Sequence, residues 1–330
     1  MPRARHRPRR AGALTVRVCL MVEGQEGVTW DEWRALAQTA EEHGLEGLFR
    51  SDHYSAIIRP AAGALDAWAT LAALAAVTER LRLGTLVSPA TFRHPSVLAR
   101  NAVTVDHVSG GRVEVGMGAG WYEREHLEAG FPFLDARARF ELLAEQVEVV
   151  VRSWTEDAFD HEGAAYALRG QTALPRPVQR PHPPLLLGGT ARPRGAALAA
   201  RYAAEYNTLA APLAELRARR ARLDAACEKA GRDPATLTFS LMTACVIGRD
   251  RPEVLDRLRR VQALLGEGPD PEALWEERRE RWLIGTVDDV AARLAELHDA
   301  GVGRVFLQHL DHRDLDAVAL FGDRRLAAVG

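Results

Sequence analysis

Lysine is nearly absent: Lys229 stands alone among 43 basic side chains, and the rest are arginine. With so much alanine beside them, this bias marks GC-rich coding rather than chemistry. Cysteine is scarce as well. Cys19, Cys227 and Cys245 are odd in number, sit in apolar stretches and share no metal-ligand spacing. They read as reduced, buried thiols of a cytoplasmic protein. A charge of one sign is missing too. The formal net charge of −2 leaves no global field to recruit nucleic acid or a membrane surface. No apolar run approaches the ~20 residues that span a bilayer. The opening MPRARHRPRR has five arginines but no apolar segment behind it. It reads as a basic arm, expected to be disordered over 1–13, or as a start codon placed too early, and not as a secretory signal.

What is present is apolar and regularly spaced. A hydrophobic content of 47% over 330 residues supports a large core, in two average domains or in one α/β barrel. Eight strands are predicted: Thr15–Val22, Leu45–Phe49, Leu81–Val87, Arg112–Gly116, Leu185–Leu187, Glu205–Leu209, Thr236–Ile247 and Arg304–Leu310. Helices are expected between them, over Trp30–His43, Ala67–Arg80, Pro95–His107, Ala136–Trp154, 193–203, Pro212–Ala230 and Thr286–Ala300, with Leu315–Phe321 last. Thr29 with Glu32, and Thr286 with Asp289, have capping-box spacing. The helix from Ala67 lacks a polar face, which predicts burial on several sides and a place in a homodimer interface. Residues 155–183 read as a long connection. Residues 251–284 read as a helical insertion between strand seven and its helix. Eight alternating repeats argue for a parallel sheet closed into a (β/α)8 barrel, here a single domain over 14–330. A doubly wound sheet is the rival, but its glycine turn follows the first strand, and here the glycines follow strands four and five.

Arg112–Gly130, RVEVGMGAGWYEREHLEAG, is the stretch of most interest. A strand runs into Gly116, Gly118 and Gly120, whose bare backbone admits close approach of a flat ring or a phosphate. Trp121, Tyr122, Glu125 and His126 follow. In such a barrel, sites form at the C-terminal strand ends, and polar or glycine residues collect there. Asp52, His53 and Tyr54 follow strand two, and Val87 and Ser88 end strand three. Gly188, Gly189 and Thr190 follow strand five, as a turn whose N–H groups suit a phosphate. Asn207 lies in strand six, and Gln308 and His309 lie in strand eight. His309, Asp311 and His312 lack a completing ligand set, so no metal is expected.

The blocks SDHY (51–54), LGTLVSP (83–89), HPSVLARNAVTVDHVSGGRVEVGMGAGW (94–121), EREHLEAGFPF (123–133), LPRPVQRPHPPLLLGG (174–189) and GRDPATL (231–237) together resemble the luciferase-like monooxygenase superfamily. Within it the likeness is to oxidoreductases that use the deazaflavin coenzyme F420. The resemblance implies a bacterial luciferase-like (β/α)8 barrel and a catalytic pair, Asp52 near the deazaflavin ring and His53 passing a proton. It implies a non-prolyl cis peptide at Leu86–Val87, flanked by Thr85 and Ser88, on which the ring rests. Gly118, Ala119, Gly120 and Tyr122 would wall the cofactor pocket; Gly188, Gly189, Thr190 and Arg281 would lie near its phosphate. Trp121, Tyr54, Glu125, Asn207 and Gln308 are expected around a small-molecule substrate. The sugar-phosphate dehydrogenase branch has a glutamate directly after the glycine loop, where this chain has Trp121, so that substrate does not carry over. Three readings compete with F420-dependent hydride transfer: an FMN- and oxygen-dependent monooxygenase, a non-catalytic flavin-binding protein and, last, a metal-dependent barrel hydrolase.

Overall fold

The computed structural model describes residues 16–59, 62–172, 174–268 and 270–327; the basic arm expected over 1–13 lies outside them. Eight parallel strands close on themselves: Arg17–Val22, Gly47–Arg50, Arg82–Thr85, Val113–Gly118, Leu185–Gly188, Glu205–Leu209, Thr238–Gly248 and Arg304–Gln308. Closure is made by Arg17–Met21 pairing with Arg304–Gln308. Strand one shows why each strand is buried on both faces. Val18, Leu20 and Val22 point outward to the helices, while Cys19 and Met21 point inward to Phe49, Leu86, Leu186 and Phe306. This is the period-two alternation of a strand with apolar partners on both sides. The inner plug is small, with Phe49 and Phe306 edge to face at 4.8 Å.

Below that plug, at the N-terminal end, lies a charge cluster that the sequence pattern does not announce. Arg304 is 1% exposed and donates to Glu114 at 2.6 Å and to Glu205 at 3.1 Å. Its guanidinium lies 4.9 Å from both the Phe49 and Phe306 rings. The barrel is thus closed by ions at its base.

Both capping boxes form, at Thr29 with Glu32 and at Thr286 with Asp289. The insertion is helical over Arg251–Leu265 and Pro271–Arg278, and a short strand, Leu283–Thr286, then pairs with the extended end of strand seven. Several segments differ from the sequence pattern. Strand two runs Gly47–Arg50 rather than from Leu45, because its pairing with strands one and three begins at Gly47. The connection after residue 155 holds an antiparallel hairpin, Phe159–Glu162 with Ala167–Gln171, clamped by Glu145, which accepts from the Ala165 and Tyr166 N–H groups. A helix over Glu123–Ala129, closed by Gly130 in a left-handed conformation, follows the glycine loop. The helix from Ala67 ends at Val77, which is 53% exposed.

Candidate active site

Strand two delivers Ser51, Asp52 and His53 to the C-terminal rim. Asp52, 2% exposed, accepts on Oδ2 from Ser88 Oγ and from Arg93 Nη1, each at 2.5 Å. Ser88 in turn accepts from Trp68 Nε1 at 3.1 Å, and Arg93 also donates to Asp66 at 2.7 Å and to the Tyr54 hydroxyl at 3.2 Å. Both contacts of Asp52 fall on one oxygen, so Oδ1 has no partner among the described residues. Arg93 was not among the residues singled out from the sequence. Its position in an exposed-looking TFRHP segment carries no signal that it reaches back to strand two.

His53 is held from the other side. Its Nδ1 lies 2.7 Å from Glu125 Oε1, while Glu125 Oε2 accepts the Tyr54 N–H at 3.0 Å. Burial opposes a charge on His53, but the hydrogen bond and the charge of Glu125, with Glu23 and Asp52 beyond, outweigh it and raise its pKa. Glu125 has no exposed surface. It therefore holds the histidine from behind, whereas the sequence placed it around a substrate. The helix that presents it is locked by His126, fully buried, with Nδ1 2.7 Å from the Tyr122 carbonyl oxygen and Nε2 2.7 Å from Thr91 Oγ1. Tyr54 is packed at 5.1 Å from Phe92 and 5.7 Å from Phe131, so it supports the rim. Trp121 is 61% exposed and meets the His53 ring edge to face at 5.9 Å, with Tyr122 tilted against it at 5.3 Å.

The glycines of strand four have a different cause from the one their sequence suggests. A Cβ on Gly116 would lie 2.1 Å from the Thr85 carbonyl oxygen, and one on Gly118 would lie 2.5 Å from Val87 Cγ2. Their bare backbone admits the strand-three end, not a ligand. The Leu86–Val87 peptide there is cis. Thr85 is fully buried with its hydroxyl on the Gly116 carbonyl, so its side chain bridges strands instead of facing a cofactor. Gly120, with φ of +76°, makes the turn toward Trp121, and its carbonyl accepts from Arg139.

Strand five ends in an open surface. Gly188, Gly189 and Thr190 are exposed, and a Cβ on Gly188 would find nothing nearer than Val87 Cγ1 at 3.7 Å. The turn is not the set of free N–H groups that its glycines suggest. Gly189 N–H donates to the Asn207 carbonyl and Ala191 N–H to the Tyr206 hydroxyl, both at 3.0 Å. Cationic groups stand there instead: Arg222 reaches the Thr190 and Ala191 carbonyls at 3.3 and 3.2 Å. Asn207 is 5% exposed and donates to Ser240 inside the barrel. Gln308 donates to Glu23 at 2.6 Å, and Glu23 also accepts from Gln25 at 2.9 Å. Glu23, at the end of strand one, is a rim carboxylate hidden in the sequence by its setting in a Gly-rich loop. Arg281 is exposed, with its carbonyl on the Thr243 hydroxyl. His309 points away from the rim to the Asp314 carbonyl at 3.1 Å, and burial lowers its pKa to about 4. A separate groove of about 560 Å³, lined by Asp256, Arg257, Arg260, Asp311, Asp314 and neighbours, shares no residue with the rim set.

A family model described as luciferase-like monooxygenase matches residues 14–304. An uncharacterised protein of Mycobacterium tuberculosis is 34% identical over 170 residues, 47% of this chain and 59% of its own length. An F420-dependent glucose-6-phosphate dehydrogenase of Microbacterium testaceum is 34% identical over 196 residues, 58% of this chain and 57% of its own. An FMNH2-dependent dimethylsulfone monooxygenase of Pseudomonas putida is 29% identical over 255 residues, 76% of this chain and 67% of its own. The chain thus spans between about half and two thirds of the length of these curated relatives. Among solved structures, an F420-dependent secondary alcohol dehydrogenase with an F420–acetone adduct superposes with a TM-score of 0.79 at 19% identity, over 94% of this chain and 99% of its own. Relatives use either F420 or FMN, on one barrel. The closed eight-stranded barrel and a match over nearly its whole length place this chain in the luciferase-like monooxygenase family.

Proposed function

We propose that the chain is an oxidoreductase that uses coenzyme F420 to move a hydride to or from a small organic substrate at the C-terminal mouth of the barrel. The observation that carries this reading is the pair Asp52–His53, each member fixed by its own buried partner. Hydride transfer leaves a proton to be supplied or removed, and a histidine is suited to that near neutral pH. Bound F420 supplies a two-electron hydride carrier; the protein supplies binding, orientation and electrostatics.

The residues present fit such a group. Gly188 beside Val87 offers an open, flat floor, Asp52 keeps an oxygen for a ring donor, and Arg222 at the strand-five turn suits a phosphate. His53 exchanges the proton at Nε2, since Nδ1 is taken by Glu125. Trp121 and Tyr122 set an apolar wall beside the His53 ring, at 5.9 and 6.3 Å. The F420-dependent relative supports the cofactor, but Trp121 argues against a sugar phosphate as substrate. The FMN- and oxygen-dependent reading rests on the longer match to the dimethylsulfone monooxygenase.

Anaerobic mixing of the protein with reduced F420 and a panel of small carbonyl compounds tests the assignment, with reduced FMN and oxygen in parallel. Reoxidation of F420 by one class of compound is expected. His53→Ala should slow it by about 10² or more while cofactor affinity stays within about twofold. Turnover only with FMN and oxygen, or an unaffected His53→Ala, contradicts it.

A further inference from the structure

We propose that Glu125 is the positioning residue of this site: it fixes the His53 ring with Nδ1–H directed at its own carboxylate and Nε2 free for proton exchange. The proposal deepens the role given to His53 above and rests on that reading. It is carried by geometry. Glu125 is fully buried, yet its two oxygens are divided between the His53 ring nitrogen at 2.7 Å and the Tyr54 N–H at 3.0 Å. A carboxylate only accepts, so neutral His53 must carry its proton on Nδ1. A buried carboxylate with no cation beside it is costly unless its oxygens are hydrogen-bonded. These two donors are its partners among the described residues. One belongs to His53 and the other to the next residue, so the carboxylate reads strand two's end twice.

The support for Glu125 is independent of His53. Its helix is pinned by the buried His126, bonded to the Tyr122 carbonyl and to Thr91, and by the aromatic rings of Phe92 and Phe133 at 5.0 and 4.9 Å from His126. The groups facing His53 are of one sign: Glu23 from strand one, Asp52 from strand two and Glu125 from the helix. Arg93, the nearest cation on the loop after strand three, is neutralised by Asp52 and Asp66. Arg50 is turned away over the Trp33 ring. Of the three carboxylates, Glu125 alone is bonded to the ring and can set its tautomer.

The replacement Glu125→Gln separates positioning from mere packing. Glutamine keeps the shape and can still accept the Tyr54 N–H, but its amide donates to Nδ1. That reverses the tautomer and removes the charge. The measurement is the two-bond proton–nitrogen spectrum of histidine-labelled full-length protein, without cofactor, titrated from about pH 5 to 9, with His53 identified by its loss in His53→Asn. Wild type should show the Nδ1–H tautomer and a pKa above the ordinary 6.5. In Glu125→Gln the Nε2–H tautomer should appear and the pKa should fall by about one unit or more, with the His126 signals unmoved. An Nε2–H tautomer in wild type overturns the proposal without any variant, so a Glu125→Gln protein that fails to fold leaves the test intact. Unchanged His53 signals in a folded Glu125→Gln overturn it too. No cofactor enters, so this result is separate from whether F420 binds.

Discussion

Asp52 and Glu125 are carboxylates of nearly equal burial with different partners. Asp52 faces a guanidinium, and Glu125 faces an imidazole and a backbone N–H. The Arg93–Asp52 pair is 9% and 2% exposed in its side chains, so little solvent screens it. Burial disfavours the charge on Arg93, yet Asp52 raises its pKa above the ordinary arginine value. Removing one member of such a pair strands the other charge. Arg93→Met should therefore cost on the order of 3–5 kcal/mol, read as a lower urea midpoint. It should weaken F420 binding as well, because Asp52 loses the group that fixes its orientation. A midpoint within error of wild type would mean that water reaches Asp52 freely. His53 works in the same sense at a lower pH: its raised pKa means that its contact with Glu125 stabilises the fold fully below about pH 6.5. That contribution is lost as the pH rises through the folded-state value.

Strand four shows how a glycine run acquires two meanings. Gly116 is obligatory because strand three crosses it, with the Thr85 carbonyl where a Cβ would sit. Gly116→Ala should therefore fail to fold or lose about 1–3 kcal/mol or more, measured by denaturant unfolding, with no cofactor needed for the effect. A fully stable Gly116→Ala would show that strand three can retreat. The glycines were legible in the sequence; their reason was not, since it depends on a neighbour some thirty residues earlier in the chain. The same limit hid Arg93 and Glu23, whose partners lie on other strands. Strands and helices with local causes were read well. Alternating apolar residues marked the strands, and Thr29 and Thr286 marked helix starts through contacts three residues away. The helix over Glu123–Ala129 had local signals too, acidic residues in its first turn and Gly130 at its end. Glu125 and His126 instead read, with Trp121 and Tyr122, as part of a ligand cluster at the strand end. Asp52 and His53 were legible because a barrel puts chemistry at strand ends. Glu125 was legible as important but not as buried, because period and spacing do not show which face of a short helix turns inward.

At the scale of the molecule, the barrel separates stability from chemistry. The base is tied by Arg304 with Glu114 and Glu205, drawn from strands eight, four and six. The plug of Phe49, Leu186 and Phe306 isolates that cluster from the rim. Among the described residues no helix is long and apolar enough to cross a membrane. The rim gathers Asp52, His53, Trp121, Gly188 and Glu23 from strands one, two, four and five, and one barrel of this family serves either F420 or FMN. Which of the two this rim accepts decides the central claim. The direct measurement is a fluorescence titration of the cofactor-free protein with F420 and, separately, with FMN. Saturable F420 binding at least about tenfold tighter than FMN, a difference of about 1.4 kcal/mol, is the predicted result. Tighter binding of FMN, or binding of neither, would contradict it.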